Sequence, residues 1–87
     1  MNIEVPDYNS QQHFIFDWID GFSIKCQYSD LCGEKSVIIS ANSQGLVSLA
    51  KHLLELAQTG VPTGMHIHLD EFNSLEDGSI ELIVERI

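Results

Sequence analysis

Basic residues are scarce in this chain: only 4 of its 87 residues are Lys or Arg, against 13 Asp or Glu, leaving a net charge of −9. A protein that grips phosphates needs a stripe of cations to release counterions, so nucleic acid is an unfavourable partner. A basic partner is favoured instead, and the field of the whole chain would speed encounter with one. No apolar run approaches the roughly 20 residues that a bilayer span requires, so no membrane partner is expected. The first eight residues, Met1 to Tyr8, hold no basic region followed by an apolar core. No secretory signal is expected, and the cytoplasm is the expected compartment. Cysteine is nearly absent too. Cys26 and Cys32 are too few for a disulfide framework and too far apart for a C-x-x-C pair, so both are expected reduced, with Cys26 in the core.

Catalytic equipment is missing as well. There is no nucleophile elbow, no Cys–His pairing that the sequence brings together, and no lysine to complete a phosphate loop around Gly45. Glu76 and Asp77 fall in a turn, where no burial would raise a carboxyl pKa for general acid work. The chain reads as a non-enzyme without a cofactor. Repeats, linkers and low-complexity segments are also lacking, so residues 1–87 are read as a single domain, with 1–12 a loose arm or edge.

What is present centres on residues 41–71. Asn42 and Ser43 are both good N-cap types, and apolar Leu46, Leu49, Ala50, Leu53, Leu56 and Ala57 recur at helical spacing. Ser48, Lys51, His52, Glu55 and Gln58 fall on the other side, which predicts a helix with one buried and one wet face. Gly60 and Pro62 predict its end near Thr59. His13 and His52 are expected to be solvated.

Strand signals surround this helix. His13–Ile19 alternates, with Phe14, Phe16 and Trp18 on one face, and Phe22–Tyr28 alternates with Phe22, Ile24, Cys26 and Tyr28. A two-residue Asp20-Gly21 loop would split those apolar stripes across both faces. A three-residue loop, Ile19-Asp20-Gly21, pairs Trp18 with Phe22 and Phe16 with Ile24, and is the predicted register. Core packing accounts for these aromatics better than base stacking does, given the charge. Ser36–Ala41 contains the run Val37-Ile38-Ile39, suited to burial on both faces. Met65–Asp70 places Met65, Ile67 and Leu69 inward, with His66, His68 and Asp70 outward. Ser79–Ile87 closes a last hairpin. The predicted order is β-β-β-α-β-β, an α+β fold with one helix on one face of a mostly antiparallel sheet. Ile15, Ile38 and Ile83 then lie on an uncovered face, which is either ordinary surface or a docking surface.

His66-Ile67-His68 invites a metal reading, because residues two apart on a strand point the same way, and Asp70 with Glu81 or Glu85 could add ligands. The same pattern arises on any outward strand face. A structural or interface role is preferred, with His66, His68 and Asp70 only weak metal candidates.

From the helix onward the chain resembles a bacterial polymorphic-toxin immunity family, immunity protein thirty-two. The matching features are Gly45-Leu46, the Leu49-Ala50, Leu53 and Leu56-Ala57 spacing, Pro62, His66-x-His68-Leu69-Asp70, and Ser79-x-Glu81-Leu82. Residues 1–35 carry none of this resemblance. It implies a cytoplasmic, non-enzymatic protein that binds the toxin encoded beside it and blocks its active site or folding. The acidity would suit a basic toxin such as a nuclease. His66, His68, Asp70, Glu71, Glu81 and Glu85 are the expected partner-binding residues. A small metal-binding module, or a homodimeric scaffold with no toxin, stays open as an alternative.

Overall fold

The structure is a computed structural model and describes residues 1–11 and 13–87. Its elements run α1 (Tyr8–Gln11), β1 (Ile24–Ser29), a 3-10 turn (Leu31–Gly33), β2 (Ser36–Ala41), α2 (Ser43–Leu56), β3 (His66–Leu69) and β4 (Leu82–Glu85). The fold is α+β, as the pattern predicts, with one long helix and antiparallel strand pairs. The strands form two separate hairpin sheets, β1 with β2 and β3 with β4.

A bridge joins the two hairpins in place of a continuous ladder. The outer edge of β1 is met by the segment after β3: Glu76 N–H donates to the Ile24 carbonyl at 2.9 Å and Ile80 N–H to the Cys26 carbonyl at 2.8 Å. The Ser79 hydroxyl accepts from Cys26 N–H at 3.1 Å. Gly78, at φ +87°, turns the chain between these bonds, and a ladder cannot run through a turn. Leu75 of this loop is buried beside Ile24, Cys26, Leu49 and Leu69, with Trp18, Phe22, Ala41 and Leu82 packed around them. Cys26 is therefore a core residue with a free thiol, whereas the free Cys32 is exposed.

Helix α2 begins where the sequence places it. Asn42 is the cap, its Oδ1 accepting from Gly45 N–H at 2.8 Å and from Ser23 N–H at 3.0 Å. Its amide also donates to the Gly21 carbonyl at 2.8 Å, so one side chain fastens the helix start to the preceding turn. The helix ends sooner than predicted, at Leu56, with Ala57 as cap. Arg86 accounts for much of the other end. Its Nη1 donates to the carbonyls of Leu56 and Gln58, each at 3.1 Å, placing a cation on a C-terminus whose last turn has no base of its own. The start of α1 and the chain just before it are tied to the same place: Tyr8 N–H donates to Gln58 Oε1 at 3.0 Å, and Gln58 Nε2 to the Pro6 carbonyl at 2.7 Å.

The face of α2 that packs inward is not the one its apolar pattern predicts. Gly45, Ser48, Leu49, His52, Glu55 and Leu56 are buried, while Leu46, Leu53 and Leu54 are 53%, 41% and 49% exposed. At about 100° per residue, the helix is rotated roughly a quarter turn from the predicted orientation. The cause lies in residues 14–19, which form neither helix nor strand and lie along α2. Their predicted hairpin with Phe22–Tyr28 does not form. Its turn closes at Ile19–Phe22 through a 3.0 Å hydrogen bond, with Gly21 at φ +82°, and then the chain parts. Trp18 still stacks on Phe22, ring centroids 4.6 Å apart.

Candidate functional site

The predicted partner-binding residues lie on and around the β3–β4 hairpin. Its register pairs His66 with Glu85, Ile67 with Val84, His68 with Ile83 and Leu69 with Leu82. Directly opposed residues share a face, so His66, His68, Ile83 and Glu85 form one outward surface while Ile67 and Leu69 are buried beneath. That alternation is the one the sequence predicts.

His68 is the electrostatic centre of this surface. Its Nε2 lies 2.7 Å from Glu81 Oε1 and 3.7 Å from Asp70 Oδ2. Two carboxylates thus bracket one imidazole, and the group stays net acidic even when His68 is protonated. The other predicted residues have more local tasks. His66 Nδ1 stands 3.2 Å from the Gly64 carbonyl oxygen. Asp70 Oδ1 accepts from Phe72 N–H at 2.9 Å and Asn73 N–H at 3.0 Å, so its carboxylate also folds the loop. Glu71 Oε2 accepts from Gly78 N–H at 2.9 Å across that loop. Beside His68 a hollow of about 270 Å³ opens, lined by Phe16, Trp18, Leu69 and Asn73. Among the described residues, no group of three His, Cys, Asp or Glu side chains is arranged to hold a metal ion.

A second polar constellation escaped the sequence reading. The segment 14–19 runs antiparallel to α2, and alternate backbone N–H groups donate to helix side chains. Ile15 donates to Glu55 Oε1 at 2.8 Å, Asp17 to His52 Nε2 at 3.3 Å and Ile19 to Ser48 Oγ at 3.0 Å. The helix thus stands in for a neighbouring strand. Positions 48, 52 and 55 repeat every three to four residues on one helical face, and a strand offers N–H groups on one side at every second residue. Those two spacings, set side by side, are the signal that could have been read.

His52 is 1% exposed and enclosed by rings: centroids lie 4.3 Å away for Trp18, 5.4 Å for Phe16 and 6.2 Å for Phe14. The expectation of a solvated His52 is overturned. Because Nε2 accepts the Asp17 N–H, the neutral ring carries its proton on Nδ1, which is buried without a hydrogen-bond partner. Burial, helped by the nearby Lys51 charge, lowers the His52 pKa to about 4. Burial raises the pKa of Glu55, opposed by its bond from Ile15 and by the charges of His13 and Lys51. Lys51 Nζ closes the arrangement at 2.6 Å from Asp17 Oδ2, and that contact lowers the Asp17 pKa. These residues hold the strap to the helix.

Fold and site together define a small acidic α+β protein with an open charged hairpin. The chain matches the family described as Immunity protein 32 over residues 36–87 and belongs to that family. Immunity families are generally non-enzymatic and act by neutralising toxins. The matched stretch begins at β2 and includes α2 and both strands of the His-bearing hairpin. No curated protein and no solved structure matches the chain. No described helix is long and apolar enough to cross a membrane.

Proposed function

We propose that this protein neutralises one cognate toxin by binding it directly, without catalysis, through the outward surface of the β3–β4 hairpin. The observation that carries this reading is the position of the bracketed pair His68–Glu81 within the family-matched segment, exposed and acidic, at the mouth of a hollow. The toxin-facing set is His66, His68, Asp70, Glu71, Glu81 and Glu85, and the partner is a basic protein such as a nuclease. A charged rim of this kind chiefly steers encounter and excludes wrong partners, while contact around the hollow supplies adhesion. Binding would take place in the cytoplasm of the producing cell, where such a toxin is a hazard.

Co-expression with the toxin encoded beside the gene tests the proposal. Cells carrying the wild-type protein survive. Glu81→Lys with Glu85→Lys reverses the charge at two exposed positions and is expected to abolish protection while leaving the thermal midpoint within a few degrees. Asp70→Asn belongs in the same series, since the amide oxygen keeps the loop bonds while the charge is removed. Full protection by all these variants would dismiss the hairpin as the binding surface.

A further inference from the structure

We propose that the bare edge of β2 pairs with the same edge of a second copy of this chain, antiparallel about a two-fold axis, joining two hairpins into a four-stranded sheet. The run Val37-Ile38-Ile39 has the composition of a strand buried on both faces. The fold makes it an edge. Val37, Ile38 and Ile39 are 57%, 47% and 40% exposed, and of the whole strand only Ala41 is even partly covered. The two edges of this hairpin are also treated differently. The outer side of β1 is occupied by the backbone of Glu76 and Ile80, whereas the outer side of β2 receives no hydrogen bond from any described residue. A long, apolar, unprotected edge is a template for another strand, and a two-stranded sheet gains most from a third and fourth.

Charge decides between the candidate occupants. From Ser36 to Ala50 there is no Asp, Glu, Lys or Arg, and this run contains four exposed apolar residues, Val37, Ile38, Ile39 and Leu46. Two bodies of charge −9 repel one another over most of their surfaces, so a second copy can approach closely only where the surface is neutral. A basic partner would find no counter-charge on this strand and is better served by the other hairpin. The ends of the strand fit the same geometry. Antiparallel pairing centred near Ile38 brings Glu34 of one copy beside Asn42 and Ser43 of the other, at the start of a helix whose first turn has no acid of its own. Cross-strand pairing puts Val37 and Ile39 on the face of Tyr28 and Cys26, and Ile38 on the opposite face with Gln27. Both faces of the new sheet therefore gain apolar pairs, and the interface is isologous.

Sedimentation equilibrium on the purified full chain, without toxin, is the test. The expected mass is twice the 9.7 kDa of one chain. Ile38→Lys replaces a side chain that is exposed in the single copy, so its circular dichroism is expected to be unchanged while its mass falls to that of a monomer. A wild-type monomer, or a dimer indifferent to Ile38→Lys, overturns the proposal. Ile38→Cys in a Cys32→Ser background reads the contact without disrupting it, because Cys26 is buried. A short bismaleimide is expected to join this variant to itself, and absence of the linked product would likewise overturn the pairing. No toxin enters these measurements, so their outcome is independent of the β3–β4 binding surface.

Discussion

His52 shows how a single side chain can be misplaced by periodicity alone. Its neighbours in the helix put it on the polar side, yet its ring lies buried among Phe14, Phe16 and Trp18 and accepts a backbone N–H. Its pKa falls from 6.5 to about 4, so between those values the unfolded chain binds more protons than the folded one. The contribution of His52 to stability is therefore complete above about pH 6.5 and is lost as the pH falls toward 4. Glu55 acts in the opposite sense: its raised pKa means the fold prefers the protonated carboxyl, and that preference is lost as the pH rises through the folded value. In urea unfolding at pH 7 and pH 4.5, the wild type is expected to lose about 2 kcal/mol more stability on acidification than His52→Gln. Equal losses would mean the imidazole titrates normally in the folded protein.

Helix α2 is held mostly at its ends and along a polar stripe. Gly45 illustrates how closely its first turn approaches β1, since a Cβ there would stand 2.5 Å from the Ser23 carbonyl oxygen and 2.8 Å from Ile24 Cγ1. Helix propensity alone would have Gly→Ala stabilise by up to about 1 kcal/mol. The clash is with backbone, and Ser23 is itself bonded to Asn42, so the contact cannot relax without loosening the cap. Gly45→Ala is expected to lower stability by more than about 1 kcal/mol despite the better helix former, measured as a drop in thermal midpoint. A rise would show that propensity outweighs packing here. The strap along the helix obeys the same economy. Three N–H groups that a sheet would satisfy find acceptors on Ser48, His52 and Glu55, so residues 14–19 are satisfied without being a strand of any sheet.

Across the whole molecule, charge is unevenly distributed, whereas exposed apolar side chains occur both on β2 and, as Phe72, Ile80, Ile83 and Ile87, among the acids. Acids concentrate toward the end of the chain, with six of them in its last 18 residues, while the stretch from β2 into α2 is neutral and bares its aliphatic side chains. That uneven charge is the ground for proposing partners of different chemistry for the two surfaces. It also has a kinetic consequence. Association with a basic toxin is expected to slow by tenfold or more between low and physiological salt, since the Debye length shrinks to about 8 Å, with a much smaller change in the dissociation rate. Stopped-flow mixing at several ionic strengths measures it, and a salt-independent association rate would rule out electrostatic steering.

The sequence by itself determined the elements whose signals are local. A helix cap at Asn42 or Ser43, the helix start, the alternation that turns His66 and His68 outward over Ile67 and Leu69, the buried Cys26 and the α+β class all follow from neighbours a few residues apart; the structure chose Asn42. The family resemblance belongs with them, because its motifs lie within one continuous stretch. Tertiary structure decided which side of α2 faces inward, that residues 14–19 lie along the helix instead of pairing with β1, and that Arg86 closes the helix from the far end of the chain. Each of those rests on hydrogen bonds between residues about 30 to 40 apart. A helix stripe of Ser48, His52 and Glu55 looks wet until a backbone with free N–H groups is laid against it, and no local pattern specifies that partner.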